Sequence, residues 1–332
     1  MVFAKHAARV VACFAFALVS ACATRGPLVP ANLTDGSSKP SAELSSTPFF
    51  PQTEYQCGPA ALATVLGASG VPSNPEALVP LVYIPERRGS LQIEMQAVPR
   101  KFGRLAYVLS PNLDAILAEV SAGRPVLVLH NYGVPLFPRW HYAVVIGYDS
   151  AKDTIVLRSG VTERQVLSAR NFMRAWDNGK RWAMVVLRPG ETPVHADAER
   201  YLEVAASFER GATPADARSA FDAAIRRWPD QPVAWIGRGT AEYRTGNLRA
   251  AAKDYAEALR IDASNVGARN NFAMTLLELG CPVQAREELS RIDSTALGAE
   301  LRAAVVDTRQ RVDLASEAHA GGDPPGCSAL LN

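Results

Sequence analysis

QTEYQCGPAALATVL, residues 52–66, sets a cysteine immediately before a run of small apolar residues. Pro59 suits the first turn of a helix, because the N–H that proline lacks has no intrahelical partner there anyway. Gly67 or Gly70 can end that helix. The text from Cys57 to Leu66 therefore predicts a buried helix, with the cysteine at its N-terminus. There the sulfur faces the unbonded N–H groups of the first turn, a field that favours a thiolate. Gly58 leaves room for a backbone or a substrate to come close. A thiolate nucleophile needs an imidazole to share and return its proton, so the histidines decide what this stretch can do.

The chain has five histidines. His6 lies in a leader, and His195 and His319 lie in the C-terminal half. His130 and His141 remain, both at ends of apolar, β-branched runs. Those runs are residues 125–131 (PVLVLHN), 141–148 (HYAVVIGY), 154–158 (TIVLR) and 182–187 (WAMVVL), bounded by Gly, Pro, Asp and Asn. Residues 89–102 and 113–121 carry further helical stretches. Helices first and an antiparallel sheet later predict an α+β domain over residues 48–190.

Towards the N-terminus, Lys5, His6 and Arg9 precede an apolar run from Val10 to Val19, and small residues lead to Cys22. This pattern is that of a secretory signal over 1–21, too short for the roughly twenty residues that span a bilayer. Small residues ending at a cysteine resemble the lipobox of bacterial lipoproteins. The resemblance implies lipidation of Cys22 and a periplasm-facing anchor in the cell envelope, and Ala23 in place of Asp leans towards the outer membrane. Residues 22–47, rich in Pro and Ser, are expected to be a flexible tether.

The 332 residues suggest about two domains. Thirty-five basic against 33 acidic residues leave a net charge of +2, too balanced for a nucleic-acid binder. After Pro189 alanine dominates and the chain repeats every 34 residues. Ala205, Gly239 and Ala273 are in register, as are Ala217, Ala251 and Ala285, and Phe221, Tyr255 and Leu289, and Ala224, Ala258 and Ile292. Small residues at those spots let antiparallel helices touch. With Trp235, Gly246 and Pro229 the pattern resembles the tetratricopeptide repeat. That implies an all-α solenoid over 195–317, with three repeats (198–231, 232–265, 266–299) and a capping helix, before a tail at 318–332. Ala263 stands where the family expects proline. Such stacks bind peptide or protein and do no chemistry, and each unit touches only its neighbours, so this half is expected to fold alone.

Of five cysteines, Cys13 leaves with the signal and Cys22 is the lipid site. Cys281 and Cys327, two exported thiols in one domain, are most simply a disulfide. Cys57 remains. PQTEYQCGPAALATVL with the later HYAVVIGYD resembles the bacteriocin-processing peptidases that cut after double-glycine leaders. This resemblance covers about 140 residues and implies a papain-like fold. It makes Cys57 the nucleophile, His141 the base, and Gln52 the side-chain donor of an oxyanion hole shared with the Cys57 N–H. The chain departs from the family where the strand after the histidine strand should end in Asp. Here it ends Leu157-Arg158-Ser159-Gly160, leaving Ser159 to hold the imidazole. Gln52 stands five residues before Cys57, where six is usual, and Gln56 is a rival.

No metal-ligand spacing and no phosphate loop are present, and no cofactor is expected. The expected function is a membrane-anchored thiol peptidase whose repeats recruit substrate or partner. Two other classes are a catalytically inactive papain-like peptide-binding lipoprotein and a thiol acyltransferase resembling phytochelatin synthase. The peptidoglycan endopeptidases that prefer Asp-Cys-Ser fit less well.

Overall fold

The computed structural model describes residues 26–30, 39–52, 56–134, 136–295, 297–318, 324, 326 and 327. The expected signal peptide and Cys22 lie outside the described residues, as does most of the expected tail.

Seven strands form one antiparallel sheet in the order β2-β7-β3-β4-β5-β6, with β1 also paired to β4. They are β1 (Ser41–Glu43), β2 (Leu105–Val108), β3 (Val126–Asn131), β4 (Trp140–Asp149), β5 (Thr154–Ser159), β6 (Thr162–Ser168) and β7 (Ala183–Leu187). β4 organises the sheet. Its first half pairs with β3, its end pairs with β1, and β5 runs along its other edge. Side-chain alternation then sorts the two faces. On one, Leu127, Leu129, Tyr142, Val144 and Ile146 pack against helices α1 (Cys57–Ala68), α2 (Pro75–Val82) and α3 (Gln92–Lys101) through Leu62, Leu66, Leu78 and Met95. On the other, Val126, Val128, Ala143, Val145 and Leu157 pack against α4 (Leu113–Ser121) and α5 (Ala169–Asn178) through Ile116, Leu117, Phe172 and Trp176. Each such aliphatic side chain contributes about 1.5–3 kcal/mol of burial.

The helix expected from Cys57 starts there and runs to Ala68, with Gly70 left-handed (φ 86°) beyond its end. The tether expected over 22–47 differs in the structure. β1 lies inside it, and the Leu28 and Val29 N–H groups donate to Asp153 Oδ1 at 2.8 and 2.9 Å. Main-chain bonds hold these pieces, and a three-residue strand carries no readable periodicity. β6 was also invisible to alternation, since its residues are mostly exposed.

Helices α6 (Ala198–Glu209), α7 (Pro214–Arg227), α8 (Pro232–Arg244), α9 (Leu248–Ile261), α10 (Val266–Glu278), α11 (Pro282–Ser290) and α12 (Ala299–Ala318) form the C-terminal half. Each packs on the next in the chain. The residues in 34-residue register are buried, with Phe221, Tyr255 and Leu289 between helices. A Cβ on Gly237 would stand 2.2 Å from the Phe221 ring, so only glycine permits that approach. Cys281, at the start of α11, and Cys327 form a disulfide with Cα atoms 5.7 Å apart.

The expectation that this half folds alone meets a continuous core. Tyr201, Leu202, Ala205, Phe208 and Phe221 join the same apolar cluster as Leu105, Tyr107 and Ile116. The connecting segment is pinned as well: the Val194 N–H donates to Glu119 Oε1 (2.6 Å) and the Asp197 N–H to the Tyr107 hydroxyl (3.0 Å). The change in sequence pattern near residue 190 is therefore not a break in packing, because α6 completes the face that β2 and α4 leave open.

Candidate active site

Cys57 opens α1 and is the one free cysteine among the described residues. The main-chain N–H groups of Tyr142, of Gly58 and of Cys57 itself lie near enough to its sulfur to favour the charged form. The Tyr142 contact follows from the ladder geometry. The Leu129 N–H is spent on the Trp182 carbonyl (3.2 Å), so at the Leu129↔Tyr142 pair the two strands turn their polar groups away from each other. The Tyr142 N–H thus points to the β5 side of β4. The β4–β5 register ends at Val144↔Arg158, which leaves that N–H beyond the ladder. The thiol lies near it, at the sheet edge next to His141.

Burial outweighs these donors and pushes the Cys57 thiol above its ordinary value. The expectation of a thiol held ionised by the helix end is thereby reversed: desolvation of the sulfur is larger than the pull of the three N–H groups. The role expected of Gly58 also changes. A Cβ there would lie 2.2 Å from Ser90 Oγ and 2.6 Å from Ser90 Cβ. The space left by the missing side chain is filled by Ser90, not held open for a substrate.

His141 Nε2 lies 2.9 Å from Ser159 Oγ, a bond between β4 and β5. The Tyr132 ring leans on the imidazole, with centroids 5.8 Å apart, and the Tyr132 hydroxyl is held by His130 Nδ1 at 2.8 Å. Burial lowers the His141 pKa, so its neutral form, the one able to accept a proton, is favoured. His130 stands directly opposite His141 across the β3–β4 ladder. It is fully buried, edge-on to Phe172 (5.1 Å), and pushed down to about 3 by burial and by the His141 charge. It is a structural, neutral histidine.

Among the described residues no carboxylate reaches the imidazole. Asp149, the last residue of β4, is engaged by Lys152 (2.8 Å), and Asp153, in the turn beyond it, by Leu28 and Val29, both at the end of β4 away from His141. Gln52 is half-buried, and its N–H donates to the Gly160 carbonyl at 3.2 Å, which ties it to the turn after Ser159. Gln56 caps α1 without a side-chain bond to it. Trp140 is half exposed and shares a strand face with Tyr142, so it is not core. Tyr132, Val134, Leu136 and Phe137 continue an exposed apolar rim beside it.

The structure thus joins His141 to Ser159 and brings the Cys57 sulfur to the residue after His141. Sequence reasoning missed Tyr132 and the Tyr142 N–H. Tyr132 lies in a hairpin whose path no local pattern announces, and a main-chain donor has no residue type to read. Among the described residues no three His, Cys, Asp or Glu side chains gather as a metal site, and no helix is long and apolar enough to cross a membrane.

Residues 45–184 match the model of the Peptidase_C39 like family. This is the segment on which the sequence resembles the double-glycine leader peptidases, and it contains Cys57, His141 and Ser159. No curated protein matches the chain. One similar solved structure is a C39-like peptidase from Bacillus anthracis, at 16% identity over 45% of this chain and 98% of that one, with a TM-score of 0.37. Another is the peptidase domain of Streptococcus ComA, a bi-functional ABC transporter of a quorum-sensing pathway, at 18% identity over 43% and 98%, with a TM-score of 0.35. MamA matches at 16% identity over 37% and 81%, with a TM-score of 0.29.

Proposed function

We propose that this protein is a thiol peptidase, an amide hydrolase tethered to the cell envelope through a lipid on Cys22. The observation that carries the reading is the His141–Ser159 bond beside a thiol held at a helix start. With Nε2–H donating to Ser159, Nδ1 keeps its lone pair and takes the Cys57 proton as the sulfur attacks the scissile carbonyl. Because the thiol is raised and the imidazole lowered, this proton moves during attack and not beforehand. The oxyanion is received by the Cys57 N–H and the Gln52 side-chain amide. His141 then returns the proton to the leaving amine, the C–N bond breaks, and water later hydrolyses the thioester by the same base. Tyr132 and Ser159 together supply the orientation that an Asp would give.

The helical half is read as tetratricopeptide repeats that recruit a protein substrate or partner. The buried 34-residue register supports this.

Incubation with a diverse peptide mixture, read by mass spectrometry, tests the activity. New termini that appear with the wild type and vanish in Cys57→Ala and His141→Ala support hydrolysis. Amine-capped products in place of free carboxylates turn the reading to acyl transfer. The raised thiol and missing carboxylate are what an inactive peptide-binding domain would also carry; retained peptide without cleavage by the wild type establishes that alternative.

A further inference from the structure

Three consecutive residues at the end of β5 each reach a different part of the candidate site. Ser159 holds the His141 imidazole (2.9 Å). The Gly160 carbonyl accepts the Gln52 N–H (3.2 Å). Arg158 stands opposite Val144 across the β4–β5 ladder, which puts it on the α1 face of the sheet. Its side chain is buried there. Nε and Nη2 donate to the Thr47 carbonyl (3.3 and 3.0 Å), and Nη2 donates also to the Ser45 carbonyl (2.8 Å). Nη1 donates to the Glu163 carbonyl (2.6 Å), where the β5–β6 register slips between Leu157 and Ser159.

A cation withdrawn from water is unfavourable unless a carboxylate meets it at close range. The Glu163 carboxylate stands 3.8 Å from Arg158 and is mostly exposed, and that of Glu43 is engaged by Arg164 (2.7 Å). An apolar side chain of that volume would pack the same space with less desolvation. What the guanidinium adds is direction, because its planar fork fixes the carbonyls it holds. Those carbonyls begin the segment 45–52. Pro48 of that segment lies over Gly67 of α1, and Phe50 packs on the core of the same face. Arg158 therefore clamps the start of the segment and Gly160 its last residue, Gln52. The turn that carries the imidazole's partner also carries both clamps. Oxyanion stabilisation depends on donors fixed in place before the reaction.

We propose that Arg158 is a positioning residue for the oxyanion side of the site: its guanidinium fixes the segment 45–52 and so places the Gln52 amide. This rests on the peptidase reading above. The test uses the full chain and a fluorogenic peptide built on a sequence that the wild type cleaves in the mixture described above. Its companion readout is the rate of Cys57 alkylation by iodoacetamide, a reaction that develops no oxyanion. Loss of one oxyanion donor lowers kcat about a hundredfold or more, which is the expectation for Gln52→Ala. Arg158→Lys keeps a cation without the fork. It should lower kcat at least about tenfold, with KM and the alkylation rate each changed less than about twofold. The double variant should be no slower than Gln52→Ala alone, because both changes act on one donor. Wild-type turnover in Arg158→Lys overturns the proposal, as does a double variant in which the two losses multiply. Alkylation that falls in step with turnover overturns it too, since Arg158 then acts on the thiol and imidazole. Arg158→Gln is measured alongside; if neither variant melts cooperatively, the guanidinium holds the domain as a whole and the assignment to Gln52 falls. A wild type that is alkylated but cleaves no peptide is a different failure: the peptidase reading falls, and the role of Arg158 with it.

Discussion

His130 gives the sharpest stability test. In the folded protein it is enclosed by Phe172 and Tyr132 and pushed down to about 3; in an unfolded chain it returns to about 6.5. Between those values the unfolded state binds a proton that the folded state refuses. Stability contributed by the neutral imidazole is therefore whole above pH of about 6.5 and is lost as pH falls, levelling near pH of about 3. At pH 5 the gap is about 1.5 units, and at about 1.4 kcal/mol per unit the loss is about 2 kcal/mol. His130→Gln removes this dependence, at a cost of roughly 1–3 kcal/mol at neutral pH from the lost Tyr132 bond and altered packing. Urea melts followed by tryptophan fluorescence, run at pH 7 and pH 5 on both proteins, measure it. His141 titrates in both and cancels in the difference. The stability gap between wild type and variant should shrink by about 2 kcal/mol on going to pH 5. An equal gap at both values means that His130 accepts a proton inside the fold, and the burial argument fails.

Alkylation of Cys57 by iodoacetamide should climb with pH towards a midpoint above that of a free cysteine, because burial raises the thiol; a plateau already reached at neutral pH would contradict this. Peptide hydrolysis should fall on the acid side as His141 takes a proton below the usual histidine range, and an acid limb that lies above that range would contradict this. Ser159→Ala should lower turnover about tenfold or more by freeing the imidazole, while Ser159→Asp should keep or raise it and move the acid limb to higher pH; identical profiles in all three proteins would show that Ser159 does not hold the ring. Gly58→Ala should cost about 1–3 kcal/mol, because Ser90 leaves no room for a Cβ; an unchanged melting curve speaks against that packing. Alkylating the denatured, unreduced mature protein should label one thiol, Cys57, and three labelled thiols would break the Cys281–Cys327 pairing.

Short-range chemistry accounts for the features that can be read along the chain. A proline after Cys-Gly and a run of small apolar residues make a helix that begins at Cys57. β-branched runs between turn residues make β3, β4, β5 and β7. Alanines at a fixed spacing make helices that approach closely. The candidate pair Cys57 and His141 was legible because few residue types can do thiol chemistry, and the lack of an Asp at Ser159 was legible for the same reason. The state of that chemistry is set by contacts between distant parts of the chain. The helix-end field on the thiol is local and readable, but the desolvation that overrides it comes from burial of the sulfur in the folded domain. The pairing of β1 with β4 and the core shared by α6 and the sheet rest on main-chain bonds and on faces left open elsewhere, which no local pattern records.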